Sequence, residues 1–286
     1  MRQSTIPSLL LLIFSLLTLL NTAIADTSTA LLAMEDPQNP LVRISTSQGE
    51  IYLELFPAEA PGNVDNFLAL AEGEKEFTNP DTGALIQARY YNGMRFHRVV
   101  PGFIIQAGSP AYNPLGLQVN LLDDEINADA LGLDQISVLN PDGSFADVLN
   151  IESKLDFHEE ILTPLYSQRN ITDVETALSS QHQVFEALQG LSVKSVYENQ
   201  GYRYDDSLQS RPIERGTVAL ANSGPDSNGP EFFISLTAAE WLSGKYTVIG
   251  RVVEGQEVMD SIGNTAIDPD QFSRLSTLIY SVRKAN

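Results

Sequence analysis

The 286-residue chain carries 17 basic and 37 acidic residues and no cysteine, giving a formal net charge of −20. A charge of that sign repels phosphate backbones and anionic lipid surfaces, which argues against nucleic acid as a partner. Without thiols there are no disulfides, thiolate nucleophiles or thiolate metal sites, a composition suited to an oxidising exterior or periplasm.

The chain opens with Arg2, a leucine-rich run over residues 9–20, and Ala23-Ile24-Ala25. This is the pattern of a secretory signal peptide over residues 1–25. The apolar run is shorter than the ~20 residues that span a bilayer. The expected mature chain starts at Asp26, keeps 261 residues (286 minus 25), has no stable membrane insertion, and is secreted or periplasmic.

A polar leader follows, and then residues 41–45 and 50–56 read as a hairpin around Ser47-Gln48-Gly49, with Ile51, Leu53 and Leu55 on one face. Val64, Phe67, Leu68 and Ala71 recur at helical spacing between Pro61 and a terminating Gly73. Residues 73–87, including Asn79-Pro80-Asp81-Thr82-Gly83, read as a loop.

From Met94 to Val100 apolar and polar positions alternate, Pro101-Gly102 turns the chain, and residues 103–106 form a second strand. This sets Arg98 and Gln106 into an otherwise apolar strand pair. Residues two apart share a face, so Arg98 can meet the side chains around Phe103 and Gln106. The alternative is an edge-strand charge beside a core phenylalanine. His97 should turn to the opposite face and is read as structural.

Residues 111–200 hold fifteen acidic and three basic side chains, −12 of the total −20. A helix is expected over residues 152–162, limited by Pro164. The capping box Thr172-Asp173-Val174-Glu175 opens a second, along which Ala177, Leu178, Gln181, Val184, Phe185 and Leu188 trace a mostly apolar stripe up to Gly190. A helical hairpin is the simplest arrangement. Its charge is read as a solvated surface in preference to a recognition surface.

The remainder alternates short strands and turns: strands at 217–221, 231–236, 247–253 and 278–282, a glycine-rich loop at 223–230, a turn carrying Trp241, and a helix at 256–262. The pattern is mainly β with few helices. His97, His158 and His182 fall on different elements without ligand spacing, Asp123-Asp124-Glu125 is read as a solvated turn over a calcium site, and no phosphate-binding glycine loop precedes a helix. Neither metal nor cofactor is implied.

Two long blocks carry a family resemblance. The first is Phe96-His97-Arg98-Val99-Val100-Pro101-Gly102-Phe103. The second runs Leu220-Ala221-Asn222-Ser223-Gly224-Pro225-Asp226-Ser227-Asn228-Gly229-Pro230-Glu231-Phe232-Phe233-Ile234 and continues with Glu240-Trp241-Leu242-Ser243-Gly244-Lys245. In this order they resemble the cyclophilins, peptidyl-prolyl cis/trans isomerases whose usual motifs are Phe-His-Arg-Val-Ile-Pro-Gly-Phe, Met-Ala-Asn-x-Gly-Pro-x-x-Asn-Gly-Ser-Gln-Phe-Phe-Ile and Glu-Trp-Leu-Asp-Gly-Lys. Leu53-Glu54-Leu55-Phe56, Asn66-Phe67 and residues 248–252 add to the likeness, which covers roughly residues 40–110 and 202–283 but not the acidic stretch between.

The resemblance implies a closed antiparallel β-barrel capped by helices, built from residues 26–110 and 202–286. Residues 111–201 would be an acidic, helical insertion that packs near the groove or on itself. The junction is ambiguous, because Asp123-Asp124-Glu125 and Tyr204-Asp205-Asp206 both resemble the family's acidic segment. The implied catalytic residues are Arg98, Gln106 and Phe103; Ile104, Ala221, Asn222, Phe233, Trp241, Leu242 and Tyr246 would bind substrate. The implied partners are unfolded or proline-containing exported proteins, with cyclosporin as an inhibitor through Trp241. Departures are Pro230-Glu231 for Ser-Gln, Tyr246 for His and Ile104 for Met. Glu231 either pairs with Arg98 and holds it or neutralises it. A non-catalytic chaperone or partner-binding module that uses the insertion is the alternative function.

Overall fold

The computed structural model describes residues 25–78, 82–117, 119–265 and 276–286. The leader over residues 1–24 and Asn79, Pro80 and Asp81 of the expected loop lie outside the described residues.

Ten strands are described: β1 (Leu41–Thr46), β2 (Gly49–Leu55), β3 (Glu76–Thr78), β4 (Leu85–Gln87), β5 (Phe96–Val100), β6 (Ile104–Ala107), β7 (Thr217–Leu220), β8 (Phe232–Ser235), β9 (Val248–Glu254) and β10 (Ile279–Lys284). Eight of them form one antiparallel sheet in the order β10-β1-β2-β9-β7-β8-β6-β5. The expected closed barrel is realised as a curled sheet. Its outermost strands share no ladder; they meet at an isolated bridge, Arg95 with Leu278, and at main-chain bonds such as Phe96 N to Thr277 O at 3.1 Å. β3 and β4 pair as a separate hairpin within the stretch expected to be a loop.

Alternation places Ile44, Ile51, Leu53, Leu55, Phe96, Ile105, Val218, Leu220, Phe232 and Ile234 on the concave side in one apolar cluster. Two helices complete it. In α2 (Pro61–Glu72), proline starts the helix and Gly73 ends it in the left-handed region at φ 77°; Val64, Phe67, Leu70 and Ala71 face the sheet. From the C-terminal helix Gln256–Gly263, Val258, Met259 and Ile262 join the same core.

The polar leader is not extended chain. Asp26 caps α1 (Thr27–Ala33), its Oδ1 accepting from Ser28 N at 2.7 Å and Thr29 N at 3.0 Å. Ala30 packs with Leu41, Tyr52 and Val253. The linker behind α1 is fixed by Glu54, a fully buried carboxylate that accepts from the main-chain N–H of Glu35 and Asp36, from Asn39 Nδ2 and from Arg251.

The acidic segment forms its own apolar cluster, including Leu133, Val138, Leu149, Ile161, Leu165, Val184, Leu188, Val196 and Tyr197. Its helices are more numerous than a hairpin: α3 (Lys154–Asp156), a π-helical turn (Phe157–Leu162), α4 (Thr163–Gln168), α5 (Val174–Ser179), α6 (Gln181–Gly190) and α7 (Val193–Asn199), after which Gln256–Gly263 is α8. Pro164 does not end the first helix. The π turn resets the hydrogen-bond register, with Thr163 N donating to His158 O, and proline falls in the first turn of α4, where it needs no partner for its nitrogen. The second helix starts one residue later than the capping box predicts, with Asp173 as the cap, and breaks at Ser180. Val184 and Leu188 turn inward as expected, but Leu178 and Phe185 are exposed.

Asp123-Asp124-Glu125 is not a solvated turn. The Glu125 carboxylate receives Gly62 N at 2.9 Å and Asn63 N at 2.8 Å at the start of α2, and Asp124 Oδ2 accepts from Asp226 N at 2.9 Å. Tyr204-Asp205-Asp206 instead lies where the chain returns, with Asp205 N donating to Ile126 O at 2.9 Å.

Replacing Glu54 by Gln removes the charge from a carboxylate that holds several donors, and should lower stability by about 1–3 kcal/mol in urea unfolding. Burial raises the Glu54 pKa, but the bonds from Asp36, Glu35, Asn39 and Arg251 outweigh it and hold it below its ordinary 4.5. Its contribution is therefore complete above pH 4.5 and lost as pH falls through the depressed value. The stability gap between wild type and Glu54→Gln should narrow over that acid range; a gap that does not change with pH would contradict this account.

Candidate active site

The geometry of the site begins with a register shift. Phe96 pairs with Ala107, and a regular antiparallel ladder would then set Arg98 opposite Ile105, on the core side. Instead Arg98 pairs with Gln106, so that two residues of β5 oppose one residue of β6. This β-bulge at His97 turns the arginine out of the core and onto the convex face, beside a residue that alternation already points there.

A polar chain runs through the shift. Arg98 Nη1 donates to Gln106 Oε1 at 2.9 Å, Gln106 Nε2 donates to Glu231 Oε1, and His97 Nε2 lies 3.0 Å from the same carboxylate oxygen. Glu231 thus reaches Arg98 through Gln106, so the direct pairing with the guanidinium that was one of the two options is not formed. His97 keeps the structural role expected of it. Its ring packs on Tyr112 at 4.8 Å and supports Glu231 from behind, outside the pocket lining. Burial raises the Glu231 pKa, but the bonds from His97 and Gln106 prevail and leave it below its ordinary 4.5. An ionised Glu231 requires the amide N–H of Gln106, so the Gln106 carbonyl must face Arg98.

Below these groups the convex face of the sheet is apolar too. Ile104, Ala219, Phe233 and Val248 alternate with the core-facing residues of their strands and form a second cluster with Phe56, Ile213 and Ala239. β7 and β8 are buried at every position for this reason. Arg98, Phe103, Ile104, Gln106, Ala221, Asn222, Phe233, Leu242 and Tyr246 line one cavity of about 180 Å³ on this face. Tyr246 meets Phe233 edge to face at 5.5 Å, and burial raises its pKa, so its hydroxyl stays protonated at neutral pH. Trp241 is the one predicted residue that does not line the cavity. It stacks on Phe103 from outside at 5.9 Å.

Two glycines fix the rim. At Gly108, φ is 93° and a Cβ would lie 2.4 Å from Pro230 O, so β6 can pass close to the loop that delivers Glu231. At Gly244, φ is 86° and a Cβ would meet Leu133 at 2.4 Å. Leu133 belongs to the acidic segment, which therefore rests on the turn carrying Trp241. Tyr204 donates to Gly244 O at 3.0 Å, and Lys245 pairs with Glu160 at 3.4 Å while its ammonium lies 4.7 Å from the Tyr197 ring centroid. The two alternatives for the segment, packing near the groove or on itself, both occur. The pairing of Glu160 with Lys245 carried no signal in the sequence, since it joins positions 85 residues apart.

Residues 41–284 match the family model of cyclophilin type peptidyl-prolyl cis-trans isomerases. The chain belongs to the cyclophilin-type peptidyl-prolyl isomerase family. A peptidyl-prolyl cis-trans isomerase B from Streptomyces anulatus is 28% identical over 79% of this chain and 85% of its own length. A mouse peptidylprolyl isomerase domain and WD repeat-containing protein is 26% identical over 79% of this chain, but over only 21% of that larger protein. A cyclophilin type isomerase from Cryptosporidium parvum superposes with a TM-score of 0.47 at 19% identity, covering 86% of this chain and 99% of the other. This cyclophilin-type chain is thus an isomerase of X–Pro peptide bonds, and the acidic segment lies inside the matched span.

In the cyclophilin groove described here, Glu231→Gln should keep Gln106 in contact while removing its titration. The side-chain amide signals of Gln106 in NMR spectra should shift in wild type as pH falls through the depressed Glu231 pKa, below 4.5, and stay in place in Glu231→Gln. Equal shifts in both proteins would disconnect Glu231 from the amide.

Proposed function

We propose that this isomerase acts on X–Pro bonds of exported polypeptides during their folding, with Arg98 as the principal catalytic group. The observation that carries the reading is the Arg98–Gln106 pair at the mouth of the 180 Å³ apolar cavity. Rotation about a peptide bond meets a barrier of ~18–20 kcal/mol because nitrogen shares its lone pair with the carbonyl. No covalent bond need break. In the twisted state resonance is lost and the prolyl nitrogen becomes a hydrogen-bond acceptor.

The cavity of about 180 Å³ is the proposed seat of the proline ring. Phe103, Ile104, Phe233 and Leu242 hold the ring away from water, and Tyr246 closes the side with its ring. Arg98 then offers one N–H to Gln106 and others to the prolyl nitrogen, a division of labour that a planar, permanently charged fork allows. Gln106 holds the substrate carbonyl and Asn222 the backbone before the proline. Bringing a ~100 s exchange to milliseconds needs roughly 7 kcal/mol, five powers of ten at ~1.36 kcal/mol each. A charged donor aimed at the transition state in a water-poor pocket supplies several of these.

The non-catalytic alternative is not adopted, because Arg98, Phe103, Gln106 and Phe233 are intact around the pocket of an isomerase family member. The leader over residues 1–25 and the lack of cysteine support a secreted or periplasmic site of action. Cleavage after Ala25 leaves the Asp26 cap of α1 in the mature chain. Cyclosporin is proposed as a ligand of the same groove, through Trp241.

Arg98→Ala should reduce kcat/KM on a proline peptide by about 10²–10³ with unchanged thermal unfolding, and Arg98→Lys should recover little of it. A variant that isomerises as fast as wild type would defeat the assignment. N-terminal sequencing of the protein from fractionated cells should read from Asp26 outside the cytoplasm; an uncleaved cytoplasmic chain would defeat the exported role.

A further inference from the structure

The proline pocket does not end at Tyr246. Leu242 and Tyr246 also form a wall of a second cavity, of about 350 Å³, whose other walls are Trp241, Lys245, Leu149, Asn150, Glu152, Asp156 and Glu160. One side of this cavity is the turn over residues 241–246 that borders the proline pocket, and the other is the acidic segment, from the turn at Leu149 to the π-helical stretch that carries Glu160. A peptide with its proline in the pocket must continue on both flanks. At ~3.3–3.6 Å per residue, three residues cover about 10 Å. Leu242 and Tyr246 line both cavities, so a flank leaving over them would enter the second.

We infer that the acidic segment builds a subsite for the substrate chain on that flank, selective for lysine or arginine within three residues of the proline; this rests on the isomerase reading of the pocket. Three carboxylates and one ammonium line the cavity, leaving a net charge of −2. The three are not equivalent. Asp156 is held by the main-chain N–H of Glu152 and Ser153, and Glu160 is shared with Lys245 and Gln200. Glu152 is exposed, and its side chain makes no ion pair among the described residues. Lys245 is itself an ammonium seated against Glu160 and the Tyr197 ring, so the wall already accommodates the chemistry assigned to the ligand. The aromatic face of Trp241 offers a basic side chain a second contact.

The test uses eight-residue peptides identical except for one Lys, Ala or Glu placed at each of three positions on either side of the proline, with kcat/KM measured by NMR exchange. In wild type, Lys should exceed Glu by about three- to fivefold at positions on one flank only, the scale of solvent-exposed ion pairs. In the double variant Glu152→Gln, Glu160→Gln the Lys-to-Glu ratio at those positions should fall to about one. Because the ratio is taken within each protein, partial loss of fold cancels from it. A ratio near one everywhere in wild type overturns the subsite while leaving the isomerase reading intact. So does a lysine preference on both flanks that survives the double variant, which would be the long-range field of a chain with net charge −20. Absence of turnover of the Ala peptide would overturn the isomerase reading itself and the subsite with it.

Discussion

Arg98 faces the groove because β5 holds one residue more than β6 between two aligned pairs. The pairing of Arg98 with Gln106 depends on that extra residue. It moves the guanidinium from the core side to the convex side, aligns it with Gln106, and brings His97 within reach of Glu231. The resulting chain has a direction. An ionised carboxylate draws the amide N–H, the amide carbonyl is left for the guanidinium, and the remaining donors of Arg98 are free for substrate. Glu231 stands where the family commonly has glutamine, and it fixes Gln106 without pairing directly with Arg98.

The sheet supports this by being apolar on both faces where it matters. The concave face of β6, β7 and β8 buries Ile105, Leu220 and Phe232 in the main core, and their convex face presents Ile104, Ala219 and Phe233. A sheet with one wet face would offer no dry floor for a proline ring. The buried aromatics of the convex cluster are therefore both core and pocket, and the distinction between packing and binding residues dissolves there.

The acidic segment is a folded addition with its own apolar cluster, and it rests on the turn that carries Trp241. That placement gives its charge a location. Most of its acidic side chains are solvated, as the sequence suggests, but Glu160 and its neighbours stand along one edge of the groove. Asp124 and Glu125, inside the stretch expected to be insertion, serve the loop between β7 and β8 and the start of α2 instead, so the stretch changes role within a few residues.

Alternation and turn residues were enough to place β1, β2 and the strands from β5 to β10 to within about two residues, and to name α2 and α8, because most of these elements bury a face that their own period reveals, while β7 and β8, buried at every position, are bounded by turn residues. Local pattern failed where stability comes from elsewhere. α1 is held by Glu54 and by Leu41 and Tyr52 of distant strands, the helix at Pro164 survives through a π turn, and the curled sheet stops short of a closed ladder. The motifs determined the family and nine of the residues around the pocket. Only the tertiary structure decided how they meet: the sequence let Arg98 meet Gln106, but the bulge that sets the two opposite each other is a relation between two strands and has no signature in either one. The same reason hid the pairing of Glu160 with Lys245 and the second cavity beside the first, since both exist only where segments far apart in the chain are packed together.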